Sequence, residues 1–143
     1  MTDKQVETEF LVHQWGPCLA QLKLDDGVVK HLLSVAKSSN KPHNEHLAGL
    51  LDKEVTLNKD LIIPNLAPII GGYHQVYSQY VGKPATPLPR YQLLSAWANF
   101  QKQHEFNPPH DHNGELSFVI YLDIPDVLKE ENKKFKGRHA GPG

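Results

Sequence analysis

The residues best able to do chemistry stand between positions 104 and 112, where three histidines and two carboxylates fall within nine residues. The segment reads His104-Glu-Phe-Asn-Pro-Pro-His110-Asp-His112. In an extended chain, side chains two residues apart point to the same side, so His110 and His112 can bind one metal ion. Asp111 then faces away, and it becomes the alternative ligand if the backbone turns there. The spacing therefore predicts a metal site with His110 and His112 as ligands.

The types of these ligands restrict the metal. Two imidazoles suit iron(II), zinc, copper or nickel, whereas calcium and magnesium prefer oxygen ligands. A third ligand must come from elsewhere, and the sequence leaves open a choice among His74, His104, His139 and the carboxylates. A solvated, proline-rich connection without a metal is the alternative interpretation of the segment. Two further histidines, His43 and His46, lie in a polar stretch and are predicted to be solvated.

Two predicted strands flank the histidine segment and would hold its ligands in place. Alternating side chains over residues 91–100 predict a long strand before it, and the apolar run 116–124 predicts a second strand after it. The elements upstream and downstream are shorter. They are two extended segments within 9–24, a helix after Asp25 and Asp26, a strand at 54–57, a helix capped by Asn65 and running to 80, and a charged helix at 126–133.

Composition limits the class of protein. A length of 143 residues favours a single domain over residues 1–143. Fifteen basic and 16 acidic residues give a net charge of −1, which argues against a nucleic-acid or acidic-membrane binder. No apolar run is long enough to span a bilayer. Cys18 is the only cysteine, so an internal disulfide is excluded and a cytoplasmic location is expected.

Three stretches together resemble the central motif of the 2-oxoglutarate and iron(II)-dependent oxygenases: Trp97-Ala-Asn99, Asn107-Pro-Pro-His-Asp-His112 and the strand that begins Leu116-Ser-Phe-Val. More narrowly, they are similar to a branch found in phages and bacteria, with a Trp-x-Asn strand, a His-x-His loop and a Ser-x-Val strand. Two upstream stretches, Trp15-Gly-Pro and His46-Leu-Ala-Gly49, are also similar to that branch.

The resemblance implies an α+β fold. The expected fold is a double-stranded β-helix, also described as a cupin-like jelly roll, with N-terminal helices packed on one sheet. The family also uses a distal histidine and an Arg or Lys, and neither Arg138 nor His139 matches that distal motif. The chain is therefore expected to be incomplete at its C-terminus. An exposed strand edge would then allow association with a second copy.

The resemblance also implies a reaction and its cofactors. With iron(II) bound, dioxygen and the cosubstrate 2-oxoglutarate would hydroxylate a C–H bond of a protein side chain, such as proline, or of a small molecule. His110 would be the first iron ligand, and His112 would stand where most members of the family place a carboxylate. Asn99 and Tyr121 would lie nearest the cosubstrate, with Trp97 as a pocket wall.

Two alternative functions stay open at this point. One is a non-catalytic oxygenase-like module that serves in binding or associates with phage particles. The other is a cupin-like protein that binds a metal through several histidines without 2-oxoglutarate, which the His110-x-His112 pattern favours. Metal binding separates both metal-dependent functions from the non-catalytic one.

Overall fold

The chain builds three helices and four short strands over the residues that the structure, a computed structural model, describes: 10–13, 16–43 and 49–135. In chain order they are β1 (Phe10–His13), β2 (Leu19–Leu22), α1 (Asp26–Ser38), β3 (Glu54–Thr56), α2 (Lys59–Tyr80), β4 (Trp97–Asn99) and α3 (Asp126–Phe135). The chain divides into two compact units, with the boundary between Asp111 and His112. Each unit is described by itself.

The first two strands form an antiparallel hairpin. Phe10 lies opposite Leu22, and His13 lies opposite Leu19. Gly16, in the connection, adopts a φ of 128°, a backbone conformation that glycine reaches without steric cost. The two extended segments predicted within 9–24 are therefore confirmed as a pair of strands.

Helix α1 begins where the sequence predicts. The side chain of Asp25 accepts a hydrogen bond from the backbone N–H of Gly27 at 2.7 Å, which satisfies one of the donors that a helix start leaves unpaired. Three apolar residues at helical spacing are buried on one side: Leu32, Val35 and Ala36. Capping and periodicity are both local signals, and here they agree.

Helix α2 begins at Lys59, seven residues before the start predicted from a cap at Asn65. The cap is Asn58, whose side-chain oxygen accepts a hydrogen bond from the N–H of Asp60 at 3.1 Å. The prediction from Asn65 is wrong because the helix continues through Pro64 and Pro68. Each proline removes one backbone donor, but neither ends the helix.

The end of α2 has a well-defined hydrogen-bonded geometry. Gly82 adopts a φ of 66°, and its N–H donates to the carbonyl of Gln79 at 3.2 Å. The N–H of Lys83 donates to the carbonyl of Ser78 at 2.8 Å. These two bonds form a Schellman motif, which pairs carbonyls that would otherwise be left open at the helix end.

The described core lies where α1 and α2 meet β3. Its apolar members are Leu32, Val35, Ala36, Leu51, Val55, Ile62 and Leu66. A side-chain hydrogen bond also joins the two helices, because the Nε2–H of His31 donates to the carbonyl of Leu61 at 2.9 Å. The first unit is thus a helix pair packed on a small sheet.

Strand β4 pairs antiparallel with β3 and is far shorter than the strand predicted over residues 91–100. Only Trp97–Asn99 form it, with one further backbone hydrogen bond at each end, from Leu57 to Ala96 at 2.9 Å and from Phe100 to Lys53 at 3.0 Å. The alternation of side chains over 91–100 is therefore confirmed as a strand only at Trp97–Asn99. The length of a strand, however, is set by its partner, and β3 has three residues.

In the second unit, helix α3 confirms the predicted charged helix, while the strand predicted over 116–124 is wrong for the structure as described. No ladder partner for that run occurs within the described ranges. The four described strands form two separate two-stranded sheets. A double-stranded β-helix and a single domain over 1–143 stay predictions. None of the helices in the described ranges is long and apolar enough to cross a membrane.

Candidate functional site

Strand β4 carries two of the predicted site residues, Trp97 and Asn99. Trp97 lies opposite Thr56, and Asn99 lies opposite Glu54 on β3. Opposite residues of an antiparallel pair project to the same side of the sheet, as do residues two apart on one strand. The four side chains therefore share one side of the β3–β4 pair. Trp97 is half-buried, and Asn99 is exposed.

His43 packs on Trp97 and is half-buried, so the prediction that it is solvated is wrong. The two rings are stacked, with centroids 5.1 Å apart and planes 16° from parallel. The Nδ1 of His43 is also 3.0 Å from the hydroxyl oxygen of Thr56. The cause is backbone pairing along the other edge of β3, where His43 N–H donates to the carbonyl of Glu54 at 3.0 Å. His46 lies outside the described residues.

Glu54 is the most deeply buried charged side chain described in this region, with 2% of its surface exposed. Burial raises the pKa of its carboxyl above the ordinary value of 4.5, because the apolar surroundings disfavour the ionised form. The residue also lines an open cleft of about 270 Å³ together with Ser39, Pro42 and Asp52. A buried carboxyl thus lies on the strand next to Trp97 and Asn99.

The segment that leads to the histidines is held against residues 49–53. Glu105 accepts a backbone hydrogen bond from Asp52, and the N–H of Leu50 donates to the carbonyl of Phe106 at 3.0 Å. The ammonium of Lys102 forms an exposed ion pair with Asp52 at 2.8 Å. The hydrogen bond and charge of Lys102 lower the pKa of Asp52, and Asp52 raises the pKa of Lys102 in return.

Gly49 and Asn107 belong to two stretches of the family resemblance, and the structure brings them into contact. A Cβ built on Gly49 would collide with the amide oxygen of Asn107 and would come within 3.1 Å of Leu51. The absence of a side chain at position 49 therefore makes room for Asn107. This contact joins the upstream Gly49 stretch to the beginning of the Asn-Pro-Pro-His stretch.

His110 lies on the surface at the end of this segment. Its Nδ1 is 2.7 Å from the carbonyl oxygen of Pro108. A carbonyl only accepts hydrogen bonds, so Nδ1 carries the proton, and the lone pair of the neutral ring is on Nε2. Histidines that bind metals usually donate their other ring N–H in this way.

The remaining predicted site residues lie at or beyond the boundary between the units. Asp111 ends the first unit, and His112 begins the second; both are exposed. Tyr121, predicted near the cosubstrate, has 77% of its surface exposed. The predictions for these three residues stay predictions.

The candidates for a third ligand are placed differently from one another. His74 lies on α2, where its Nδ1 is 3.0 Å from the phenol oxygen of Tyr91 and its Nε2 is 3.4 Å from the hydroxyl of Ser78. His104 is exposed and adopts a φ of 68°, an uncommon conformation for a residue with a side chain. His139 lies outside the described residues.

Within the described ranges, no three side chains of His, Cys, Asp or Glu converge in a way that could hold a metal ion. No protein-family model, curated protein or solved structure matches this chain. What points to a function is therefore the chemistry of the chain's own residues, above all of His110.

Sequence reasoning missed the roles of Glu105 and His43. The sequence shows Glu105 as one of the two carboxylates near the histidines. Nothing in the local pattern predicts that it accepts a hydrogen bond from Asp52, 53 residues earlier. His43 could have been placed only with knowledge that residues 41–43 run along β3. Both contacts are long-range, and periodicity carries no information about such contacts.

Proposed function

We propose that this chain carries the metal-binding segment of a 2-oxoglutarate and iron(II)-dependent oxygenase, with His110 as a ligand through Nε2. The observation that supports this most is the 2.7 Å hydrogen bond from His110 Nδ1 to the carbonyl of Pro108. It fixes the tautomer that leaves Nε2 as the metal-binding nitrogen, and it restricts the rotation of the ring. The ring is also exposed, so an ion can reach it.

The proposal assigns the second ligand to His112 from its spacing, with Asp111 as the alternative. Imidazole nitrogen suits iron(II), so the donor types fit the metal. A pair of neutral imidazoles leaves the ion more positively charged than one imidazole and one carboxylate would. Imidazole nitrogen also suits zinc, copper and nickel.

Residues on β4 would contribute the cosubstrate pocket. In this proposal, Trp97 forms a wall and Asn99 offers an amide for hydrogen bonding. With iron(II) and 2-oxoglutarate bound, dioxygen would be the oxidant: one of its oxygen atoms would go to a C–H bond of a protein side chain or a small molecule, and the other to 2-oxoglutarate, which loses CO₂. The protein's own part would be to orient the ligands and the cosubstrate. The single cysteine, Cys18, suits a reducing compartment, so we place this activity in the cytoplasm.

An anaerobic iron(II) titration followed by calorimetry tests the proposal. We expect the wild-type chain to bind iron(II) and a variant with both His110→Ala and His112→Ala to lose at least about tenfold in affinity, as loss of a ligand should. Gln103→Ala, an exposed change in the same segment, serves as the matched control and should bind like the wild type.

The titration is then repeated with 2-oxoglutarate. A new charge-transfer absorption, absent from the double variant, would support the oxygenase assignment. Iron(II) or zinc binding without that absorption would instead favour the cupin-like metal protein. Equal binding by the wild type and the double variant would overturn the proposal and favour a non-catalytic module.

A further inference from the structure

We propose that Glu105 is the positioning residue that holds the metal-binding segment in place, an inference that deepens the proposed function and rests on it. The carboxylate accepts two backbone hydrogen bonds, one on each oxygen. Asp52 N–H donates to Oε1 at 3.0 Å, and Lys102 N–H donates to Oε2 at 2.7 Å. Hydrogen bonds to an ionised acceptor are about twice as strong as those between neutral groups.

Two more hydrogen bonds fix the backbone at this point. The side-chain amide of Gln101 donates to the carbonyl of Glu105 at 2.6 Å, and Leu50 N–H donates to the carbonyl of Phe106 at 3.0 Å. We call these four hydrogen bonds at Glu105 and Phe106 the Glu105 clamp. Two of the four, from Asp52 and Leu50, join residues 50–52 to the segment that ends in His110, and the two from Gln101 and Lys102 fix the local turn.

The clamp is close enough to His110 to determine where its ring lies. Only residues 107–109 separate Phe106 from His110, and two of them are prolines, whose φ angles are fixed near −65°. Asn107 packs over Gly49, and the carbonyl of Pro108 receives the Nδ1–H of His110. A stiff connection of three residues thus joins the clamp to the proposed ligand.

The exposed ion pair between Lys102 and Asp52 is a separate feature. Both side chains are more than half exposed, and ion pairs exposed to solvent contribute little to stability. Glu105 is half-buried, and its two oxygens both point to backbone donors. Replacing Glu105 by Gln would remove one acceptor and put an NH₂ group against an N–H, whereas removing the Lys102 ammonium leaves the clamp intact.

The test compares Glu105→Gln with Lys102→Met in the full chain. Before metal is added, the NMR signals of the His110 imidazole report the position of the ring and its hydrogen bond to Pro108. We expect Glu105→Gln to shift these signals and to speed hydrogen exchange of the Asp52 amide. It should also weaken iron(II) binding by about tenfold, as changes that misorient a metal ligand commonly do. Lys102→Met should leave the His110 signals unchanged and bind iron(II) within about twofold of the wild type.

The possible outcomes separate this inference from the proposed function. Unchanged His110 signals in Glu105→Gln would overturn the positioning role, and so would an equal loss of iron(II) affinity in Lys102→Met. If the wild type binds no iron(II), the proposed function fails, and the His110 signals of the metal-free chain still decide whether Glu105 positions the ring. Should Glu105→Gln fail to fold, Glu105→Asp, which keeps both acceptor oxygens on a shorter stem, gives the same comparison with a smaller expected shift.

Discussion

Glu54 on β3 and Glu105 in the histidine segment differ in how their carboxylates are solvated and hydrogen-bonded. Glu105 has backbone N–H donors for both carboxylate oxygens, whereas Glu54 is buried and its pKa is raised by desolvation. Because the pKa of this carboxyl is raised in the folded state, its protonated form stabilises the fold fully at a pH below its pKa in the unfolded chain, 4.5. That stabilisation is lost as the pH rises through the pKa of the folded state. Near neutral pH, the ionised form of Glu54 therefore costs stability.

We expect Glu54→Gln to melt a few degrees higher than the wild type at pH 7, because the amide has no charge to desolvate. The difference should shrink as the pH falls from 7 towards 4.5, where the carboxyl of the wild type gains its proton. Circular dichroism melts across this pH range measure the effect.

An exposed glutamate provides the control for this prediction. Glu115→Gln changes the same chemical group at an exposed position, so its melting temperature should follow that of the wild type at every pH. A Glu54→Gln variant that melts lower than the wild type at pH 7 would show that the ionised carboxylate is favourable where it stands.

At the scale of one element, Gly71 inside α2 and Gly82 just after its end have opposite backbone requirements. Gly71 lies inside the helix, and a Cβ added there would meet no atom within 4 Å. Gly82 follows the helix with a φ of 66°, and its surroundings are equally open. Steric space is thus the same at both positions, and only the backbone conformation differs.

The same substitution should therefore have opposite effects at the two positions. We expect Gly71→Ala to stabilise the chain by about 1 kcal/mol, since glycine is that much poorer than alanine inside a helix. Gly82→Ala should destabilise it by about 1 kcal/mol, because a side chain disfavours the left-handed conformation. Urea unfolding of both variants gives the two free energies, and effects of equal sign would contradict this account.

The sequence predicts best those elements that are marked by residues within the element itself, such as a capping residue, alternating side chains or a run of charges. Asp25 caps α1 as expected, and the hairpin and α3 lie where alternation and charge indicated. The long strand over 91–100 and the strand over 116–124 were not found, because a strand exists only with a partner. Alternation reveals which side of a segment is apolar, but it does not reveal which segment pairs with it.

The candidate site also combines a local pattern, which the sequence reveals, with long-range contacts, which it does not. The spacing of His110 and His112 is a local pattern and led to a specific hypothesis. The contact of Gly49 with Asn107, the stacking of His43 on Trp97 and the Glu105 clamp join residues far apart in the chain. Such contacts follow from the path of the backbone, which a single sequence does not specify.

At the scale of the whole molecule, the two compact units differ in how their apolar residues are covered. The first contains the buried core around α1, α2 and β3. In the second, several large apolar side chains between 116 and 128 are at least 40% exposed, among them Phe118 and Val119. Backbone that is neither in a ladder nor covered opens to solvent more readily.

Hydrogen exchange should therefore report two levels of protection. We expect the amides of Leu66 and Ser78, both buried in α2, to exchange on the order of 100-fold more slowly than those of Phe118 and Ile120. Mass spectrometry of exchanged peptides, or NMR, measures the difference. Equal protection of both groups would indicate that residues 116–124 pair with another segment or with a second copy in solution, as the predicted strand edge would allow.

Two tyrosines of α2 form hydrogen bonds to backbone carbonyls just before β2, and we expect these bonds to form late in folding. Tyr73 donates its hydroxyl to the carbonyl of Cys18 at 3.1 Å, and Tyr80 donates to that of Gly16 at 2.8 Å. These bonds span 55 and 64 residues, whereas the β1–β2 hairpin next to them closes within a few residues. Closing a long loop costs more entropy, so the hairpin and the helix should form first and dock afterwards. The two phenol hydroxyls would then form their hydrogen bonds after the folding transition state. Tyr73→Phe and Tyr80→Phe should therefore speed unfolding and leave the folding rate nearly unchanged.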